Sequence, residues 1–150
     1  METIQLDTNI ILRSSEPSHP THEQAVKVVK SYLDRGGDLC LIPQNLIEFW
    51  NVATRPINRN GFGWTSAKTH MAITNLEFMF TILSDSRWIF EEWKKLVFEY
   101  SVMGKQVHDA RIVAAMNVHG ITNILSFNGK DFKRYPQITV IDPNDVSFAE

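Results

Sequence analysis

Cysteine is all but missing from this 150-residue chain: Cys40 stands alone inside the apolar run LCLIP. A single thiol excludes an intrachain disulfide framework, and its apolar setting predicts a small buried hydrophobe. Charge of one sign is lacking too. The chain has 15 Lys and Arg against 17 Asp and Glu, a formal net charge of −2. That balance excludes a generally basic nucleic-acid binder, but it leaves room for a local basic rim around an acidic centre. No apolar run approaches the length that spans a bilayer, so no membrane partner is predicted. Low-complexity segments and internal repeats are also absent. The opening METIQLDTN has no cationic start and carries an acid at position 7. No secretory signal is predicted from it, and a reducing cytoplasm is the simplest setting.

Short apolar stretches bounded by turn residues do recur. IQLD, LCLIP, ITNILSF and QITVID read as strands, with a further short one in TILSDSRW. A Ser-, Pro- and His-rich loop, RSSEPSHPTH, follows the first strand. It leads into a helix from about Glu23 to Leu33, broken by DRGGD. QNLIEFWNVATR predicts a second helix, with Asn45 as its cap and its end before Pro56. Thr65 or Ser66 caps a third, running to about Met79. Ile89, Trp93, Leu96, Val97 and Tyr100 fall on the core face of a fourth. A fifth begins at Asp109 in KQVHDARIVAAM and stops at Gly120. Strands alternating with helices predict an α/β fold, an αβα sandwich on a mostly parallel sheet. No composition shift divides the chain, so residues 1–150 read as one domain.

Four acids take positions that this topology brings together. In open α/β sheets, ligands bind outside the carboxyl ends of the strands. Asp7 ends the first strand, and Glu48 lies about one turn into the helix after the second. Asp109 starts the helix before the fourth strand, and Asp131 lies just after that strand. All four therefore fall at one sheet edge. Each alone has a plain structural alternative: an Asx turn at Asp7, a solvated first-turn acid at Glu48, a helix cap at Asp109, ordinary turn chemistry at Asp131. Crowded together, carboxylates raise one another's pKa unless a cation intervenes. Mg²⁺ is suited to such a set, since it takes a few carboxylates and commonly carries phosphate substrates.

LDTN at 6–9, Glu48 within NLIEFWNV, the HDA of VHDARIVAA and the turn SFNGKDF together resemble a PIN-domain ribonuclease of the VapC toxin type. The resemblance runs in order from Leu6 to about Ile141. It implies a five-stranded parallel sheet and an acidic pocket for Mg²⁺ or Mn²⁺. By position, Asp7, Glu48, Asp109 and Asp131 correspond to the metal-binding, catalytic acids. It also implies a metal-dependent endoribonuclease, an RNA substrate, a small antitoxin partner whose tail enters the pocket, and a homodimer. One departure stands out: many relatives carry an acid where this chain has Asn128, which weakens a second metal site.

Around the acids, Thr8 and Asn9 either orient water or phosphate or close the turn after the strand. Asn128 is a helper to Asp131, and His108 an outer donor or base contact. Arg13, Arg55, Arg59, Lys105, Lys130, Lys133 and Arg134 are the cations available to a rim, with Arg55, Arg59 and Lys130 taken as substrate-binding. Phe62 or Trp64 can stack on bases, or Trp64 can anchor its own loop. His19 and His22 are spaced like ligands but read as surface histidines. Two other enzyme folds also end their first strand on an acid, the receiver and haloacid-dehalogenase kinds. Each needs paired acids or Asp-x-Asp there, and this chain has Asp-Thr-Asn. The competing non-enzymatic reading is an inactive PIN-like module that binds RNA or protein.

Overall fold

The computed structural model describes residues 2–146. Five short strands form its sheet: β1 (Thr3–Leu6), β2 (Asp38–Leu41), β3 (Thr81–Ile82), β4 (Asn123–Leu125) and β5 (Thr139–Ile141). Their order is β3-β2-β1-β4-β5, and every neighbouring pair is parallel. Six helices cover the sheet: α1 (Thr8–Ser14), α2 (His22–Asp34), α3 (Pro43–Thr54), α4 (Ser66–Met79), α5 (Arg87–Glu99) and α6 (Gln106–His119). The predicted αβα sandwich with a five-stranded sheet is therefore present.

The two faces of the sheet separate by the alternation that a strand imposes. Ile4, Leu6, Leu39, Leu41 and Leu125 pack with Ile10, Val28 and Phe49 on one side. Cys40, Ile42 and Ile124 pack with Ile89, Leu96, Val113 and Met116 on the other. Cys40 is the buried hydrophobe expected, and burial pushes its thiol up to about 12. In α5, Ile89 and Leu96 are buried and Trp93 and Val97 half-buried, as the helical spacing predicts. The same helix also exposes Trp88, Phe90 and Phe98.

The chain order reverses between β1 and β4, because β1 leads to β2 and β3 on one side while β4 leads to β5 on the other. Such a switch point opens a crevice at the carboxyl ends of the two strands. Asp7 follows β1 there, and its N–H donates to the Leu125 carbonyl at 3.0 Å.

Three local expectations need correction. The segment after β1 is not a bare turn: Thr8 begins α1, which buries Ile10, Ile11 and Leu12 and takes in the first residues of RSSEPSHPTH. Asn45 is not the cap of α3. Pro43 occupies the first helical position after Ile42, and Asn45 reaches back to accept the Ile42 N–H at 2.9 Å. Asp109 does not begin its helix, which starts at Gln106 with Lys105 at the cap position. Gly120 does end that helix, in the left-handed region at φ 73°.

The loop PINRNGFGW folds back onto α3. Phe62 N–H donates to Val52 and Trp64 N–H to Ala53. Gly61 permits this close return, since a Cβ there would lie 1.9 Å from the Arg55 carbonyl oxygen. Trp64 packs against Phe49 and Phe62 with ring centroids 6.1 and 5.2 Å away. It anchors its loop.

Candidate active site

Asp7 is 8 % exposed, yet both carboxylate oxygens have donors. Oδ1 accepts the Thr8 N–H at 2.8 Å, which makes Asp7 the N-cap of α1. Oδ2 accepts the Ser126 hydroxyl at 2.7 Å and the Asn9 amide at 3.3 Å. Ser126 in turn accepts the Asn128 N–H at 2.9 Å, so β4's exit loop is tied to β1's. Burial nevertheless pushes the Asp7 carboxyl up to about 6, with Glu48 and Asp131 adding repulsion.

Glu48 is held at both oxygens. Thr8 donates its hydroxyl to Oε1 at 2.6 Å, and the Gln44 amide donates to Oε2 at 3.2 Å. The Thr8 hydroxyl itself accepts from Asn45 Nδ2 at 2.9 Å, which leaves its proton directed at Glu48. Asn45 completes the set by accepting Gln5 Nε2 at 3.0 Å besides the Ile42 N–H. Asn45 is fully buried, so Asn45→Ala strands several polar groups at once. We expect a loss of about 1–3 kcal/mol in a urea unfolding titration, where each unmet buried group carries that scale of cost. A change under about 0.5 kcal/mol would mean that the network is not what holds Glu48, since changes that small are typical of ordinary surface substitutions.

Asp109 lies in the first turn of α6 and is half-buried. Its carboxyl is pushed up to about 7, first by burial and then by Asp7, Asp131 and Glu48, while Arg134 opposes the shift. Arg134 donates to Gln106 at 2.6 Å. Asp131 sits in a single 3-10 turn, Gly129–Phe132, with its N–H donating to Asn128. Glu48, Asp109 and Asp131 line one depression of about 460 Å³ together with Lys105, Gln106, His108, Asn128 and Lys130. Asp7 does not line it but is within electrostatic reach of all three acids. Among the described residues no three His, Cys, Asp or Glu side chains are arranged to hold a metal ion as they stand. The lining is nonetheless made of hard oxygen donors, the ligand type that Mg²⁺ takes while keeping several waters.

The other sequence-predicted residues divide. Thr8, Asn9, Asn128, His108 and Lys130 all stand at the pocket or bond to its acids. Lys105 lines it as well, and Lys133 lines the adjoining depression with Lys130 and Asn128. Arg55 and Arg59 do not line it. They sit beyond the C-terminal end of α3, where Arg55 donates to the Asn60 carbonyl. Arg13 pairs with Glu16 at 2.8 Å, and its carbonyl meets His22 Nδ1. His19 turns its ring to Thr21. Sequence reasoning missed Ser126, Gln44 and Asn45. Ser126 carried a usable signal, because it directly follows a strand at the switch point.

A family model described as PIN domain matches residues 4–138. Ribonuclease VapC48 of Mycobacterium tuberculosis is 24 % identical over 143 residues, covering 91 % of this chain and 94 % of that protein. Among solved structures, VapBC-1 from nontypeable Haemophilus influenzae superimposes with a TM-score of 0.71 at 17 % identity, covering 95 % and 99 % of the two chains. VapC20 of Mycobacterium tuberculosis, described as a Sarcin-Ricin loop cleaving toxin, gives 0.65 at 18 % identity over 88 % and 95 %.

Proposed function

Because the chain belongs to the PIN-domain family, we propose that it is a metal-dependent endoribonuclease, the toxin of a toxin–antitoxin pair, working as one domain over residues 1–150 in the cytoplasm. The observation that supports this reading is three carboxylates from separate segments lining one depression, with a fourth, Asp7, in electrostatic reach of them. Asp7 follows β1, Glu48 is on α3, Asp109 is in the first turn of α6 and Asp131 follows β4. Evolving such repulsion without a counter-ion is hard to justify energetically.

Asp7, Glu48, Asp109 and Asp131 would hold Mg²⁺ or Mn²⁺, with Asn128 as a neutral oxygen donor beside Asp131. When bound, such an ion supplies Lewis acidity and a lowered water pKa. The chain's own residues do the rest. Ser126 and Thr8 fix Asp7 and Glu48, so neither hydroxyl is free to serve as a nucleophile. Lys105, Lys130 and His108 supply the cationic and donor groups that an RNA phosphate needs beside acids. Asn9 holds Asp7 and accepts the Phe127 N–H, which keeps β4's exit loop in place.

The partners follow the same reading. The solved structures it resembles include one described as a toxin–antitoxin complex, from Klebsiella pneumoniae, and the acidic pocket suits a basic tail of a small antitoxin. The apolar groove between α3 and α4, with Ile47, Trp50 and Ile73, offers a face for a second copy of the chain. Among the described residues no helix is long and apolar enough to cross a membrane.

The test is the chemistry of the cut ends. Purified protein with Mn²⁺ and single-stranded RNA is expected to leave 5′-phosphate and 3′-hydroxyl termini, with no cutting in EDTA. Terminal 2′,3′-cyclic phosphate would overturn direct attack by water and point to His108 acting on the 2′-hydroxyl. RNA binding without any cleavage would favour the inactive module.

A further inference from the structure

The helices that carry Glu48 and Asp109 lean on different neighbours: α3 packs against α1 and α4, whereas α6 packs against α5. A buried amide stands between them. Gln44 donates through Nε2 to Glu48 Oε2 at 3.2 Å and to the His108 carbonyl at 2.8 Å. Its Oε1 accepts from Arg111 Nη1 at 3.3 Å, and Arg111 Nη2 lies 3.4 Å from Asp85. Both amide hydrogens and the oxygen are committed. Turned over, the amide would set its oxygen against two acceptors and its NH₂ against a guanidinium, so one orientation is selected.

We infer that Gln44 is a positioning residue that sets the gap between Glu48 and Asp109; the inference rests on the metal-dependent reading above. Glu48 and Asp109 repel across the pocket. Gln44 opposes their separation by joining the carboxylate on α3 to the main chain of α6 one residue before Asp109. It also fixes the Glu48 rotamer from the side opposite Thr8's hydrogen bond, since the two donors take different oxygens. Nothing in Gln44 itself needs to touch the ion. Outer hydrogen-bond partners of this kind are worth roughly 10–100-fold in metal affinity.

Mn²⁺ alone is the probe, titrated into metal-free protein and followed by electron paramagnetic resonance, with melting curves in EDTA as the folding control. Gln44→Met keeps the length and apolar stem but removes every hydrogen bond, and is expected to weaken Mn²⁺ binding by roughly 10–100-fold. In a Glu48→Gln background the further loss should shrink to below about fivefold, because coupled residues are not additive. Should Gln44→Met fail to fold, Arg111→Met carries the test. It releases only the oxygen end of the amide and should cost about fivefold, the scale of one hydrogen bond. Unchanged affinity in the variant that folds overturns the inference, as does an equal loss with and without Glu48. A wild-type protein that binds no Mn²⁺ sinks the parent reading instead, and this one with it.

Discussion

Asp7→Asn is expected to lower RNA cleavage by about 10³-fold or more, while raising the melting temperature of the metal-free protein at pH 8 by a few degrees. The two effects have one cause. Asp7 is a carboxylate that burial pushes up to about 6, so holding it ionised at pH 8 costs the fold free energy. An asparagine removes that charge and keeps an oxygen for the Thr8 N–H, so the cap on α1 survives. Ser126 and the Asn9 amide lose their acceptor at Oδ2, and the Ser126 oxygen already accepts from Asn128 and Asn9, so this loss limits the gain to a few degrees. What disappears is the anionic donor coupled to the pocket's other acids, worth several kcal/mol to a metal-assisted reaction. A purely structural Asp7 would behave the opposite way, with stability lost and cleavage spared. Paired activity assays and melting curves on one preparation separate the two.

The second large effect is a reversal of pH dependence by metal. An ordinary carboxyl of this type titrates at 3.8, whereas Asp7 and Asp109 are pushed up to about 6 and about 7 in the folded protein. Between roughly pH 4 and 7 the folded chain thus holds protons that the unfolded chain has released. Stability contributed by these groups is full below the unfolded value and is lost as pH rises through the folded values. In EDTA, the melting temperature should fall between pH 5 and pH 8 on account of this pair. Mg²⁺ binds the ionised carboxylates of the folded state, so its stabilising effect must grow over the same interval. At 100 times its dissociation constant it contributes about 2.7 kcal/mol, or about 5–10 °C for a chain of this size. Scanning calorimetry at the two pH values, with Mg²⁺ and with EDTA, measures it. An identical Mg²⁺ shift at pH 5 and pH 8 would remove these acids from the binding site.

The acids were legible because their signal is topological. A strand ending at Asp7 and another just before SFNGKD fix the switch point, and the helix starts on that edge bring Glu48 and Asp109 to it. The capping roles of these acids were less legible. Asp109 looked like the start of a helix because the apolar periodicity begins at Ala110. The structure extends α6 back to Gln106 with no side-chain cap, and the true capping carboxylate is Asp7. A stretch as short as α1, seven residues directly after a strand, leaves no periodicity to detect. Cations in loops carry no direction in sequence, which is why Arg55 and Arg59 lie away from the pocket that Lys105 and Lys130 border. Gln44, Asn45 and Ser126 are neutral, and only Ser126, directly after β4, stood at a position that pointed to the site. Their contacts reach partners 37 to 119 residues away, which only the folded chain brings together.

Titration of Mn²⁺ into the metal-free wild-type protein and into Asp109→Asn at pH 8 bears most directly on the central claim that these acids share a divalent ion. Saturable binding by the wild type, lost or weakened by about 10-fold or more in the variant, is the predicted result, since removing an anionic ligand should cost at least what an outer partner costs. Binding of equal strength in both proteins, or no saturable binding to either, would contradict it.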